Sequence, residues 1–434
     1  MPGRVAFFVV AAFAIAACQR DPGAPGPAGL DAMAAEYLRL ELSMGRHDES
    51  HVDAYFGPAG FAEAARQDTL SLAQIDAGAA ELAATIRSML ENTDPSPDER
   101  ARANGLLHRL TALETRIAIN QGNAPAFDEE SQRLFRATAP DHDAAHFEAI
   151  LLEIDRLLPG DDDLSARVNA FRDRFAIPAE RLSSVFDAAI AECRRRTLRH
   201  IELPAQESFT VEYVNDKPWS GYNWYKGNAH SVIQLNTDLP VFISRAVDLG
   251  CHEGYPGHHT FNVLIERELV DRKGWVEYSL YPLFSPQSLI AEGSGNYGIE
   301  LAFPENERIE FEKATLFPLA GLDPREADRY YELEALLDEL KYADNEAARD
   351  YLNRNIDREA AVQWLVGYSL SSPDRARQRT QFFDAYRSYV INYNLGEDMV
   401  RDYVERGTPD EDTRWQRFEK LLTAPVDPLD LGWR

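Results

Sequence analysis

The eight residues His252-Glu253-Gly254-Tyr255-Pro256-Gly257-His258-His259 constrain this chain more than any other stretch. Three of its ten histidines and a glutamate fall there. Neutral imidazole and carboxylate are zinc ligands, and a catalytic site keeps one position open for water. The familiar helical solution sets two His at i and i+4 on one face, with a Glu between them as base. Here the second His comes later. On an unbroken helix, i+6 lies about 120° off the face of His252, while i+7 returns to it about 10.5 Å further along the axis. Pro256 removes a helical N–H and clashes with the His252 carbonyl. Gly257 accepts backbone angles that other residues avoid. A bulge at 255–257 would swing His258 to the place of an i+4 ligand. His258 is favoured over His259 as second ligand, and the other His is left as a supporting or substrate-facing group.

Glu253 follows the first ligand and points to the side of the metal. There it can take a proton from water whose pKa the metal lowers. Glu292 opens a run of small residues, Gly293, Ser294, Gly295 and Gly298, on an expected helix from about 287 to 303. Small residues let that helix approach the His helix closely. Glu292 is the expected third ligand, with Glu300 the weaker alternative. One zinc ion per chain is expected. Asp248, four residues before His252, is placed to accept a proton from the His252 ring.

The motif His252-Glu253-x-x-Pro256-Gly257-His258-His259, with Glu292-Gly293 downstream, resembles the HExxPGHH signature of a bacterial family of unknown function. Many members of that family are lipoproteins. It is similar in outline to metallopeptidases that take two His from one helix and a Glu from the next. The resemblance implies a mostly helical fold and zinc-dependent hydrolysis, and it is strongest from Ser208 to Pro304. The family's EGxAxYxE-like segment stands here as residues 292–300, with Gly295 where the pattern has Ala.

Metallopeptidases of the kind resembled set an edge strand beside the metal, whose free N–H and C=O groups pair with an extended substrate. Residues 209–214 and 230–236 alternate and are rich in β-branched residues, so they read as strands. The second is the candidate edge, with Ser231, Gln234 and Asn236 as substrate contacts; a structural hairpin is the rival reading. Residues 217–227 read as a turn-rich aromatic loop. Asp53–Pro58 reads as a turn packed by its aromatics. Further on, Phe382, Tyr386, Tyr389 and Tyr393 recur at helical spacing within 375–393. Such a stripe is ordinarily core. Near the metal, a hydroxyl of Tyr386, Tyr389 or Tyr393 would stabilise a tetrahedral oxyanion. Arg387 would bind a substrate carboxylate. Gly396 is expected to cap this helix.

The rest of the chain sets the context. Residues 1–17 are an expected signal peptide: Arg4 is its charged region, and the apolar run 5–16 is too short to span a bilayer comfortably. Ile15-Ala16-Ala17-Cys18 resembles a lipobox, which implies acylation at Cys18 and a membrane anchor without a transmembrane helix. Gln19, where an Asp would favour the inner membrane, points by the same resemblance to the outer membrane, facing the periplasm. Residues 18–29 are a Pro/Gly-rich tether. Apolar residues at three- and four-residue spacing mark helices at 30–44, 70–90, 97–119, 146–158 and 178–200, and again at 305–316, 324–354 and 358–366. The fold is therefore expected to be mainly α, a large multi-helix domain with a small β element beside the site. An N-terminal helical region, 30–204, precedes a metallohydrolase region, 205–434, in one continuous globular unit. Net charge is −27, which argues against nucleic acid as a partner. Cys193 and Cys251 can pair in an oxidising compartment, and sequence leaves that open. The function expected is a zinc peptidase. Its rivals are a non-catalytic peptide- or metal-binding lipoprotein and a metal hydrolase of other amides or esters.

Overall fold

The structure is a computed structural model that describes residues 29–304 and 306–432. The expected signal peptide, Cys18 and all of the tether except Gly29 lie outside the described residues.

Ser71 and Ser96 each open a helix with a reciprocal cap. The serine hydroxyl accepts from the N–H three residues on, and Gln74 or Glu99 returns a bond to the serine N–H. Such boxes satisfy amides that have no partner inside the helix. The helices they start, Leu72–Asn92 and Pro97–Asn120, pack with Leu30–Met44 around Tyr37, Leu40, Ile75, Leu82, Leu106 and Leu110. A second, larger apolar core draws on residues from Ala54 to Leu431. Among the described residues helices dominate and the strands form two small sheets, so the chain is mainly α with a small β element. No helix among the described residues is long and apolar enough to cross a membrane.

β1 (Val52–Tyr55) lies where a turn was expected, because it pairs antiparallel with β5 (Leu280–Pro282) far along the chain. The other sheet holds β2 (Ser208–Val214), β3 (Gly221–Gly227) and β4 (His230–Asn236) in the order β2-β4-β3. β2 runs parallel to β4, and β3 antiparallel. The aromatic stretch expected to be a loop is thus partly β3. Its Gly and Asn residues read as turn signals, but its aromatic side chains suit a pleated surface once a partner strand is present.

The segment 239–271, expected as one helix bent at Pro256, stops at Tyr255, which is extended, and restarts as His258–Ile265. Two further expected helices break where a side chain captures the backbone. The segment 324–354 divides into Ala327–Glu339 and Ala343–Leu352. The Lys341 carbonyl between them accepts from the Asn394 amide at 3.1 Å. The segment 375–393 breaks at Arg387, whose φ is 54°. Buried Glu130 holds the break through the Ser388 amide (3.2 Å), the Ser388 hydroxyl (2.7 Å) and Arg387 Nε (2.7 Å). The chain then resumes as Ile391–Glu405.

Candidate metal centre

His252 lies in Gly250–Gly254, a stretch of wide π-type turns. After Tyr255 the chain doubles back, and the Gly257 amide donates to the Cys251 carbonyl at 3.0 Å. A Cβ on Gly257 would lie 1.8 Å from the His252 carbonyl oxygen, so no other residue fits there. The break sets the ring of His258, first residue of the new helix, edge-on to that of His252, centroids 4.6 Å apart. A disulfide joins Cys251 to Cys193 on the helix Leu182–Thr197 and ties down the residue just before His252.

Glu292 comes from the buried helix Pro286–Ala302. A Cβ on Gly295 would lie 2.8 Å from His252 Nδ1, and one on Gly293 would lie 2.2 Å from the Gly396 carbonyl oxygen. Glycine at these points lets the helix close onto both the His252 ring and the helix Ile391–Glu405. Gly396 is therefore not the expected cap. It lies inside that helix, at the crossing.

The ligand atoms of His252, His258 and Glu292 all lie within 4.8 Å of one another. Glu292 Oε2 is 3.1 Å from His252 Nε2 and 3.7 Å from His258 Nε2. Supporting contacts fix two of the three. Asn296 Oδ1 accepts from His252 Nδ1 at 2.8 Å, leaving Nε2 as the lone-pair nitrogen, and the Asn296 amide donates to the Tyr393 carbonyl at 2.7 Å. The Tyr389 hydroxyl donates to Glu292 Oε1 at 2.7 Å. Glu253 Oε2 and Glu292 Oε2 are buried without a hydrogen-bond partner. Unpaired buried acceptors are costly, and here they surround the point on which two imidazoles converge. A divalent cation would satisfy them, so these residues fit a metal.

The centre lines a cleft of about 340 Å³, together with Asp53, Tyr222, Tyr281, Tyr386, Tyr389 and Tyr393. Burial pushes the Glu253 carboxyl up. Burial likewise carries Asp53 up to about 7, against the pull of the Tyr222 hydroxyl and His258. His258 loses basicity to burial but regains more from Glu292, Glu253 and Asp53, and reaches about 9. Three carboxyl groups and two imidazoles thus share the cleft floor, a donor set suited to a cation.

Several expected site residues are elsewhere. His259 is turned away: its Nδ1 is 2.8 Å from Ser231 Oγ, and its Nε2 is 3.1 Å from Glu207 Oε2. The expected edge, β4, is the middle strand, so its backbone is paired on both sides. Ser231 serves His259, Gln234 bonds Trp224 and Glu212, and Asn236 bonds the carbonyls of Lys217 and Trp219. The free edge facing the cleft belongs to β3, whose Gly221, Tyr222 and Asn223 line it. Arg387 is held by Glu130 and lies outside the cleft. Asp248 pairs with Arg308 (2.7 Å) and Arg245 (3.2 Å), and Asn296 takes the place expected of it beside His252. Glu300 is on the surface with Arg401.

Asn296 was within reach of sequence reasoning, since it lies one helical turn after Glu292. Asp53 was not, because only the pairing of β1 with β5 brings it to the cleft.

No protein-family model matches the chain, and no curated protein matches it. Solved structures share its outline at low identity. One is a candidate lipoprotein from Colwellia psychrerythraea, 13% identical with a TM-score of 0.49, covering 83% of this chain and 68% of that one. Another is a candidate lipoprotein of unknown function from Shewanella oneidensis, 12% identical with a TM-score of 0.44, covering 85% and 74%. A third is an M32 carboxypeptidase from Deinococcus radiodurans R1, 13% identical with a TM-score of 0.49, covering 93% of each chain. With TM-scores below 0.5, these likenesses lend no weight to a function.

Proposed function

We propose that this protein is a zinc-dependent hydrolase, a peptidase that cleaves amide bonds with water. The convergence of His252, His258 and Glu292 on one point of the cleft floor carries this reading. Two imidazoles and a carboxylate form the donor set of a catalytic zinc site with an open position. When bound, zinc supplies Lewis-acid polarisation of the scissile carbonyl and acidifies water.

The chain's own residues supply the rest. Glu253, with its unpartnered Oε2, accepts a proton from the attacking water and passes it to the leaving nitrogen as the C–N bond breaks. Tyr389 is committed to Glu292 and positions it. Tyr393 lines the cleft, and its hydroxyl has no hydrogen-bond partner among the described residues, which suits it to donate to the developing oxyanion. Tyr386 is a second such donor. The free edge of β3 can pair with an extended peptide, and this supports a peptide substrate over other amides. Acylation at Cys18 would hold the enzyme on the envelope, facing the periplasm.

The test is metal analysis of the purified chain, with peptide-library digestion by the parent and by Glu253→Gln. One equivalent of zinc, with cleavage lost in the variant and zinc kept, is the expected result. A parent that binds no zinc, or a variant that cleaves at the parental rate, would overturn the proposal.

A further inference from the structure

Beside the cleft lies a recess of about 250 Å³. The two spaces share Ser220, Leu249, Arg375 and Gln378 in their walls. The recess is lined by three guanidinium groups, Arg172, Arg245 and Arg375, and by no carboxylate. The chain carries 72 acidic and 45 basic residues. A cavity whose charged side chains are all positive therefore runs against the charge of the whole molecule.

The three guanidiniums differ. Arg172 is held by Glu334 at 2.7 and 3.1 Å. Arg245 is held by Asp248 at 3.2 Å. Arg375 has no carboxylate within 4.0 Å among the described residues. Its Nη2 donates to the Pro240 carbonyl at 2.6 Å, and its guanidinium lies 5.1 Å from the centre of the Phe242 ring. The carbonyl and the ring hold the group in place without neutralising it. Arg375 stands in the first turn of the helix Pro373–Tyr386. Tyr386, at the other end, lines the cleft with it. At about 1.5 Å per residue, the eleven steps from Arg375 to Tyr386 span about 16 Å, the length of a few extended residues. A guanidinium recognises a carboxylate with two parallel N–H donors, so an unneutralised one is suited to a peptide's anionic group.

We propose that Arg375, in the wall shared by this recess and the cleft, is a carboxylate subsite that holds an anionic group of a peptide lying along the cleft. This rests on the peptidase reading, but it can be measured without turnover.

The probes are three pools of N-acetylated pentapeptides free of Asp and Glu: one with free C-termini, one amidated, and one amidated with a single added Asp. Each is bound to full-length Glu253→Gln protein, and retention is quantified by mass spectrometry. Free acids should be retained about tenfold more than amides. Arg375→Gln should bring the ratio to within twofold while amide retention stays. Arg375→Lys, which keeps the charge but not the fork, should give an intermediate ratio and guards against misfolding as the cause. Preference for the Asp-bearing amide alone would assign the subsite to an acidic side chain. Equal retention of the three pools, no retention at all, or an unchanged ratio in Arg375→Gln would overturn the proposal. A parent protein that fails to cleave peptides while the acid preference persists would sink the peptidase reading and leave the subsite standing.

Discussion

His258 and His259 are consecutive, yet they belong to clusters with opposite hydrogen-bonding states. Around His258, the Oε2 atoms of Glu253 and Glu292 and His258 Nδ1 are buried without partners. Around His259, Ser231 and Glu207 take both ring nitrogens, Glu207 also accepts from Tyr255 at 2.5 Å, and Arg194 reaches it at 2.9 Å. Both clusters join imidazole to carboxylate in a buried setting. The satisfied one behaves as a brace between β4, the segment before β2 and the two helix ends. The unsatisfied one has room for an ion. Counting unmet donors and acceptors separates them where residue type does not.

The largest expected effect breaks the pair apart. His252→Ala and Glu292→Ala should each take zinc from one equivalent to none and reduce hydrolysis to background, whereas His259→Ala keeps its zinc. Metal analysis of the three variants decides this. Equal loss in a folded His259→Ala would make the two clusters one functional unit. Next in size is Glu253→Gln, which should lower turnover by about 10²–10⁴-fold with zinc retained, read as initial rates on a cleaved peptide.

A smaller effect probes the support. Asn296→Ala frees His252 Nδ1 and should weaken zinc binding by about 10- to 100-fold, read by chelator competition. The smallest lies in the braced cluster. Glu207→Gln should leave zinc content unchanged and cost about 1–3 kcal/mol of stability at neutral pH. Burial raises the Glu207 pKa, but bonds from His259, Tyr255 and Arg194 outweigh it and bring the group to about 2. Its ionised form therefore stabilises the fold above the unfolded value of about 4.3. That stability is lost as pH falls toward about 2. Denaturation midpoints of parent and variant should converge over that window, and a constant gap would show that charge is not the cause.

Helix positions were legible where the apolar periodicity was clear. Leu30–Met44 coincides with its expected span, and the helices begun by Ser71 and Ser96 fall within two residues of theirs. The breaks at Lys341 and Arg387 were not legible, because Asn394 and Glu130, which hold them, are distant in sequence. The identity of the edge strand was hidden for a similar reason. β3 and β4 both suit a sheet, and only the arrival of β2 on the far side of β4 decides which of them keeps a free edge.

The sequence by itself determined the donor types, their clustering around Pro256-Gly257 and the mainly helical fold, since these follow from side-chain chemistry and local backbone preference. Only the tertiary structure decided which histidine faces Glu292, which strand faces the cleft and which arginine stands unneutralised. Each of those depends on a partner brought from far along the chain, and burial raises the cost of leaving a polar group unmatched when no partner arrives.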